Sequence, residues 1–211
     1  RGGRIKVCGM TDLEQMQQLG EIGVEFAGMI FYHKSPRFVL KHLTGVKVKK
    51  AKLKVYKVGV FVNASYDEII NHVENFGLDM VQLHGDETPK FCEKVSDYIS
   101  VIKAFRLTED DNIPWKIKDY VEAVDMYMFD TMGAGYGGTG KKFNWDMLKG
   151  LQIGKPFFLS GGIEPTDAAA IKNFANEEVA KDLFAVDINS RFEKMPGVKD
   201  MELVRKFVDE V

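Results

Sequence analysis

Cys8 and Asp130 can both exchange protons, and each stands where an apolar run of the sequence ends and a loop begins. Cys8 closes the run Ile5-Lys6-Val7-Cys8, and Asp130 follows the apolar run at 126–129. A helix that begins near Thr11 would direct its first amide groups toward Cys8, which predicts a lowered thiol pKa and more thiolate. A carboxyl group in a partly desolvated site has a raised pKa, which suits a general acid. Cys8 and Asp130 are therefore a candidate base and acid.

Both residues also have a plain structural interpretation. Free cysteine is among the most commonly buried residues, so Cys8 could be core, as we predict for Cys92 within a helix. Asp130 could cap the loop that follows it. Asp187, at the end of the eighth apolar run, and Gln82-Leu83-His84, at the end of the fourth, present the same choice. A lone histidine such as His84 is more often a hydrogen-bonded structural residue than a catalyst.

Two loops late in the chain have the composition of an anion site. Ser160-Gly161-Gly162 follows the seventh apolar run and Asn189-Ser190-Arg191 follows the eighth. Adjacent glycines let backbone amides approach an anion without an intervening side chain. We therefore predict a phosphorylated small-molecule substrate. Arg37 follows Pro36 and suits a bidentate contact with a carboxylate, although a surface salt bridge would explain it equally well.

The glycine-rich stretch at 133–142 resembles two nucleotide-binding motifs without fitting either. Gly133, Gly135 and Gly138 match GxGxxG, but the dinucleotide motif belongs to the first strand–helix turn of its domain. The same stretch matches most of a Walker A loop, except that Lys142 stands where a Ser or Thr must hold magnesium. We predict instead an active-site loop over the sixth strand end, which includes Gly138 and Gly140.

The elements that must position these residues recur along the chain as a short apolar run, a turn and a helical segment. Thr11 with Glu14 and Ser65 with Glu68 form capping-box patterns, and Thr88 precedes a proline at a helix start. The apolar runs lie at 5–8, 26–31, 58–62, 80–83, 101–105, 126–129, 157–159 and 184–188. Most are continuously apolar, as in parallel strands covered on both faces. Each strand–loop–helix unit takes about 26 residues, and such alternation is typical of a doubly wound sheet or a (β/α)8 TIM barrel. The count of eight units favours the barrel.

Composition narrows the classes of function further. The 211 residues are 45% hydrophobic, enough for one domain spanning 1–211, and 29 basic against 31 acidic residues give a net charge of −2. This balance disfavours nucleic-acid or anionic-membrane binding. Two cysteines without CxxC spacing predict a reducing, cytoplasmic location. No apolar run reaches the roughly 20 residues of a membrane span. The four histidines lack metal-ligand spacing, so we predict no metal site.

The ordered set of strand-end segments resembles phosphoribosylanthranilate isomerase of tryptophan biosynthesis. The matching segments are Lys6-Val7-Cys8-Gly9, Phe31-Tyr32-His33-Lys34-Ser35-Pro36-Arg37, Gly59-Val60-Phe61-Val62-Asn63, Val81-Gln82-Leu83-His84-Gly85, Phe129-Asp130-Thr131, Gly137-Gly138-Thr139-Gly140-Lys141, Leu159-Ser160-Gly161-Gly162 and Val186-Asp187. The resemblance implies a (β/α)8 barrel that performs a cofactor-free Amadori rearrangement on N-(5-phosphoribosyl)anthranilate. It implies Cys8 as general base, Asp130 as general acid and Arg37 as the contact for the anthranilate carboxylate.

The remaining predicted substrate contacts are Gln82, His84, Gly138, Gly140, Gly161, Gly162, Asp187, Asn189 and Ser190. The resemblance places the phosphate on the loops that contain Gly161-Gly162 and Ser190. The chain departs from the family at Arg191, where members often have glycine. That arginine would either add a charge to the phosphate site or form an ion pair elsewhere.

Three alternatives remain at this point. The related isomerase of histidine biosynthesis performs the same rearrangement but has an aspartate at the end of its first strand, where this chain has Cys8. A barrel that only binds a phosphorylated ligand would need neither Cys8 nor Asp130. Cys8 could also be a redox thiol. The chain is expected to act as a monomer or a homodimer.

Overall fold

Eight parallel strands close into a barrel in the computed structural model, which describes residues 3–131 and 145–211. Each strand pairs with its neighbours in chain order, and β8 pairs with β1. The strands are β1 (Arg4–Val7), β2 (Phe26–Ile30), β3 (Tyr56–Phe61), β4 (Met80–Leu83), β5 (Ser100–Arg106), β6 (Met126–Asp130), β7 (Phe157–Ser160) and β8 (Leu183–Ile188). The predicted (β/α)8 barrel is confirmed, and each predicted apolar run overlaps one of these strands, in order.

The strands are apolar almost throughout because both of their faces are buried. Along β6, Met126 and Met128 pack inside the barrel with Phe158, whereas Tyr127 and Phe129 belong to the larger core between barrel and helices. Side chains alternate between the two faces with a period of two residues. Asp130 ends β6 two positions after the interior residue Met128, so its side chain points into the mouth of the barrel.

Short helices alternate with the strands and cover the outside of the barrel. They are α1 (Leu13–Glu21), α2 (Gly45–Lys50), α3 (Tyr66–Phe76), α4 (Pro89–Ser96), α5 (Ile113–Ile117), α6 (Ala168–Phe174) and α7 (Met201–Glu210). None of the helices in the described part of the chain is long and apolar enough to cross a membrane.

Helix capping follows the sequence at two predicted starts and departs from it at a third. Ser65 accepts the amide of Glu68 at the start of α3, and Thr88 accepts the amide of Phe91 at the start of α4. The prediction that Thr11 caps the first helix is wrong. Asp12 is the cap of α1, because the Thr11 hydroxyl donates to the carbonyl of Gly197 at 2.7 Å.

A hairpin that the sequence did not predict follows β8. Its strands are β9 (Glu193–Met195) and β10 (Val198–Lys199), which pair antiparallel. The Gln15 side chain bonds both the amide and the carbonyl of Lys199 and so ties the hairpin to α1. The hairpin thereby brings the side chains of Glu193 and Lys199 to the mouth of the barrel.

Candidate active site

One cavity of about 250 Å³ lies at the carboxyl ends of the barrel strands. Ten of the twelve predicted site residues line it: Cys8, Arg37, Gln82, His84, Asp130, Gly161, Gly162, Asp187, Asn189 and Ser190. The other two, Gly138 and Gly140, lie outside the described residues. The ten residues come from loops and strands spread across the whole chain, and barrel closure brings them together.

Cys8 lines this cavity, and 5% of its surface is exposed. Burial raises the pKa of its thiol, and the positive charges of Lys6 and Lys199 oppose that rise without overcoming it. The predicted lowering of this pKa by a helix start is therefore wrong. Helix α1 begins only at Leu13, and the Asp12 side chain already accepts an amide of its first turn.

Asp187 is the last residue but one of β8 and lies on the same interior face as Lys6, with which it is in register across the β1–β8 pair. Lys6 Nζ donates to Asp187 Oδ1 at 2.9 Å, and Ser160 Oγ donates to Asp187 Oδ2 at 2.8 Å. A buried carboxylate is stable only when it is paired and hydrogen-bonded, and both conditions hold here. Asp187 thus lines the cavity while its two oxygens bind protein groups.

Asp130 is held by a pair of side chains from the end of β4. Gln82 Nε2 lies 2.8 Å from His84 Nδ1, and His84 Nε2 lies 2.9 Å from Asp130 Oδ2. An amide nitrogen only donates, so Nδ1 accepts and the ring proton is on Nε2, directed at Asp130. His84 therefore fixes one oxygen of the candidate acid and will stabilise the carboxylate that remains after a proton is donated.

Arg37 enters the cavity from the loop between β2 and α2, where Glu193 holds it. Arg37 Nε donates to Glu193 Oε2 at 2.9 Å, and Arg37 Nη2 donates to Glu193 Oε1 at 2.5 Å. Lys199 Nζ donates to the same carboxylate at 2.7 Å and to Asn189 Oδ1 at 2.9 Å. Burial raises the pKa of Glu193, but the hydrogen bonds from Arg37 and Lys199 outweigh it, so the net pKa is lowered.

The loop after β7 has a backbone that only glycine adopts readily. Gly161 and Gly162 have φ angles of 102° and 65°, both in the left-handed region. Facing them, Ser190 begins a short 3-10 turn after β8. Arg191 lines the same cavity, and its Nε lies 3.9 Å from Glu164 Oε1. This side of the cavity therefore combines exposed backbone with a hydroxyl and a guanidinium group.

A second cavity of about 420 Å³ adjoins the first at His84. Lys103 lines this second cavity, and its buried Nζ donates to Glu87 Oε1 at 2.9 Å and to the carbonyl of Gly85 at 2.8 Å. Those bonds hold the loop that carries His84. Among residues 3–131 and 145–211, no group of three or more His, Cys, Asp or Glu side chains is placed to hold a metal ion.

Sequence reasoning missed the residues that support the candidate base and the candidate anchor. They are Lys6, Gly28, Glu193 and Lys199. Lys6 carried a signal, because a lysine two positions before Cys8 in a buried strand must point to the same face. Glu193 carried none, since it meets Arg37 across 156 positions of sequence.

Gly28 on β2 faces the Cys8 side chain so closely that we expect its replacement by alanine to impair catalysis. A Cβ at this position would lie 2.9 Å from Cys8 Sγ and 3.2 Å from Cys8 Cα. Overpacking typically costs about 1–3 kcal/mol of stability, and a displaced reacting group can reduce turnover by about 100-fold. We expect Gly28→Ala to lower kcat/KM by about 10- to 100-fold, measured on protein shown to be folded by circular dichroism.

Gly3→Ala is the matched control for this substitution. A Cβ at Gly3 would meet no atom within 4 Å, and its φ is not in the left-handed region. We expect Gly3→Ala to keep the parent kcat/KM. Parent activity in a folded Gly28→Ala variant would mean that the placement of Cys8 does not matter.

Comparison with known proteins agrees with this arrangement. A family model described as N-(5'-phosphoribosyl)anthranilate (PRA) isomerase matches residues 5–210. The isomerase of that name from Parabacteroides distasonis is 38% identical over 209 residues, which cover 98% of this chain and 92% of the relative. The crystal structure of phosphoribosyl anthranilate isomerase from Thermotoga maritima aligns with a TM-score of 0.82 at 32% identity, over 99% of this chain and 98% of that one.

A third match includes a ligand. It is a phosphoribosyl anthranilate isomerase in complex with reduced 1-(o-carboxyphenylamino)-1-deoxyribulose 5-phosphate, with a TM-score of 0.78 and 28% identity over 99% of this chain and 97% of that one. Family model, relative and structures agree with one another and with the ordered motifs of the sequence. The chain belongs to the N-(5'-phosphoribosyl)anthranilate isomerase family.

Proposed function

We propose that this chain converts N-(5-phosphoribosyl)anthranilate to 1-(2-carboxyphenylamino)-1-deoxyribulose 5-phosphate, with Cys8 as general base and Asp130 as general acid. The observation that carries the proposal is that Cys8, Asp130, Arg37 and the Gly161-Gly162 loop line one cavity. A base, an acid and two kinds of anion-binding group are what an Amadori rearrangement of a phosphorylated, carboxylated substrate requires. No cofactor enters the proposed reaction.

The first step opens the ribose ring. Asp130 donates its proton to the ring oxygen, the bond from C1 to that oxygen breaks, and the anthranilate nitrogen supplies electrons to form an iminium ion. Asp130 becomes a carboxylate in this step, and the Nε2–H of His84 at 2.9 Å stabilises the new charge. His84 and Gln82 thus contribute by orienting the acid, beside any contact that they make with substrate.

The second step removes a proton from the adjacent carbon. The iminium ion makes the C2 hydrogen acidic, the Cys8 thiolate takes it, and the electron pair of that bond forms the C1–C2 double bond of an enolamine. The enolamine then gives the ketone by moving a proton from the C2 hydroxyl to C1. Cys8 ends as a thiol and Asp130 as a carboxylate, so one proton passes from the former to the latter, through solvent, to restore the enzyme.

Positioning of the substrate falls to groups at the two sides of the cavity. We assign the phosphate to the loop of Gly161 and Gly162 with Ser190 and Arg191, and the anthranilate carboxylate to Arg37. Two anchors would hold the ribose between Cys8 and Asp130 and so convert binding energy into orientation. The part-buried hydrogen bonds that Arg37 donates to Glu193 keep its guanidinium in one orientation before substrate arrives.

Arg37→Ala is expected to raise KM by about 10- to 100-fold while kcat changes by a few-fold only. The reason is that a charge-assisted contact with a carboxylate contributes about 1.5–3 kcal/mol, and the arginine touches neither reacting carbon. Steady-state kinetics on the purified variant measure this. Arg37→Lys keeps the charge but loses the fork of donors, so its KM should fall between those of the other two proteins. An unchanged KM in Arg37→Ala would remove the anchoring role.

The direct test follows the fluorescence of N-(5-phosphoribosyl)anthranilate after the purified protein is added. We expect the signal to fall at a rate proportional to protein concentration, with a parallel assay on the phosphoribosyl substrate of the histidine-pathway isomerase showing little turnover. Turnover of only the second substrate would assign the chain to that reaction. Substrate-dependent protection of Cys8 from alkylation without turnover of either compound would instead indicate a binding protein.

A further inference from the structure

Lys6 is a fully buried lysine in the interior of the barrel, two positions before Cys8 on β1. A charged amine at such a depth is unfavourable unless it is paired, and Lys6 Nζ donates to Asp187 Oδ1 at 2.9 Å. Burial lowers the pKa of the Lys6 amine, but Asp187 and Cys8 raise it more, so the net pKa is raised and the ammonium form persists. The reaction proposed above does not use this charge.

The Lys6 ammonium and the Cys8 sulfur face the same small space. A Cβ at Gly28 would lie 2.9 Å from Cys8 Sγ and 3.2 Å from Lys6 Nζ, so both atoms converge on the gap that this glycine leaves. The Lys6 amine donates to Asp187 Oδ1 at 2.9 Å, and Ser160 Oγ donates to Asp187 Oδ2 at 2.8 Å and so holds that carboxylate in place. A positive charge is therefore held rigidly beside the proposed base.

Four charged groups influence the Cys8 thiol. They are Lys6 from β1, Asp187 from β8, Lys199 from β10 and Arg37 from the loop after β2. Burial raises the thiol pKa, and Lys6 is the strongest influence that lowers it, through its charge and a hydrogen bond. Lys199 acts more weakly, and its ammonium is also bound by Glu193 and Asn189.

We propose that Lys6 is a positioning residue for the base, and that its fixed ammonium lets Cys8 form a thiolate inside an otherwise desolvating site. The proposal rests on the function proposed above, in which Cys8 is the base. Lys6 transfers no proton: when the thiolate takes the C2 proton, the sulfur becomes neutral and the ammonium remains paired with Asp187. Its contribution is to raise the population of enzyme that carries a thiolate on Cys8 while Asp130 is protonated.

The test measures the Cys8 thiol directly in Lys6→Met. The variant is treated with iodoacetamide across a range of pH, and alkylation is assigned to Cys8 or Cys92 by mass spectrometry. We expect the midpoint of Cys8 alkylation to move to higher pH by about one unit or more, which means about tenfold less thiolate at neutral pH. A merely structural role would not move this midpoint in a folded variant.

Steady-state kinetics supply a second measurement of the loss of thiolate in Lys6→Met. At neutral pH we expect kcat/KM of Lys6→Met to fall by about tenfold for each unit of the alkylation shift. Above the midpoints of both proteins Cys8 is a thiolate in each, so the difference between their kcat/KM values should close. Lys6→Arg keeps a positive charge and should restore part of the alkylation profile.

Lys103→Met is the matched control, because Lys103 on β5 is also a buried lysine in an ion pair, with Glu87 at 2.9 Å. Its charge acts on Cys92, whose pKa burial raises to about 11, and it is absent from the influences on Cys8. We expect Lys103→Met to leave the midpoint of Cys8 alkylation in place. A shift of that midpoint in this control as large as in Lys6→Met would overturn the specific role of Lys6.

Lys6→Met leaves Asp187 buried without its partner, so the double variant Lys6→Met, Asp187→Asn removes both charges of the pair. The ammonium influences the thiol more than the carboxylate does, so the midpoint should still rise, by less than in the single variant. A folded variant of either kind with the parent midpoint overturns the proposal. Failure of the proposed function would be seen separately, as no turnover of N-(5-phosphoribosyl)anthranilate by the parent protein, or as full turnover by a variant without the Cys8 thiol, whatever the alkylation profile.

Discussion

Cys8→Ser is expected to lower kcat by about 10²- to 10⁴-fold with little change in KM. Positioned acid–base groups contribute rate factors of this size, and a serine hydroxyl does not ionise near neutral pH to replace the thiolate. KM should change little because the proposed anchors, Arg37 and the Gly161-Gly162 loop, are untouched. Steady-state kinetics give both constants, and thermal unfolding followed by circular dichroism shows whether the fold is retained.

Cys92→Ser is the control for this prediction, since it makes the same atomic change at the other cysteine. Cys92 lies in α4 and is fully buried in the core outside the barrel. We expect Cys92→Ser to keep the parent kcat and to lose some thermal stability, because a hydroxyl is placed among apolar groups. If Cys8→Ser turned over substrate within a few-fold of the parent, the base would have to be another group.

The pH dependence of the reaction follows from the protonation states that the mechanism requires. In the proposed mechanism, only enzyme with Cys8 as a thiolate and Asp130 as a carboxylic acid begins the reaction. Burial raises the pKa of Cys8, so only a minority of the enzyme is in this state at neutral pH. Once the pH exceeds the pKa of Cys8, the size of the active population depends only on how much Asp130 is protonated. The electrostatic support that we propose Lys6 gives to the thiolate would therefore increase kcat/KM at neutral pH.

The barrel could be predicted from the sequence because its strands are buried on both faces. Buried parallel strands are continuous apolar runs, and β4 (Met80–Leu83) has the same bounds in the structure as in the sequence pattern. The start of α1 could not be predicted, because Thr11 and Asp12 are both good caps. The contact that decides between them, from Thr11 to the carbonyl of Gly197, comes from the other end of the chain.

The sequence predicts where the residues of the candidate site lie, but it does not predict how their surroundings shift their pKa values. Strand ends locate Cys8, Asp130 and Asp187, and the two-residue alternation places all three at the barrel mouth. The raised pKa of Cys8 comes instead from burial, which the charges of Lys6 and, more weakly, Lys199 oppose. Lys199 reaches the site through a hairpin that no local pattern predicts. Long-range contacts of this kind determine how strong an acid or base a residue is.

The same distinction between position and environment applies to Asp130, for which we expect Asp130→Asn to lower kcat by about 10²- to 10⁴-fold. Asparagine has nearly the same shape but no acidic proton, so ring opening would have to rely on water. The side chain can still accept the Nε2–H of His84 through its Oδ1 oxygen, which keeps the geometry of the Gln82–His84 pair. KM and the unfolding temperature should therefore remain close to those of the parent.

Asp125→Asn tests whether this loss is specific to the mouth of the barrel. Asp125 stands just before β6, at the opposite end of the same strand, where its Oδ2 accepts the amide of Val101 at 2.8 Å. The substitution makes the identical chemical change in an exposed position outside the cavity, so kcat should stay at the parent value. Equal kcat values for the two variants and the parent would exclude Asp130 as the proton donor. A loss of kcat confined to Asp130→Asn would place ring opening at the end of β6.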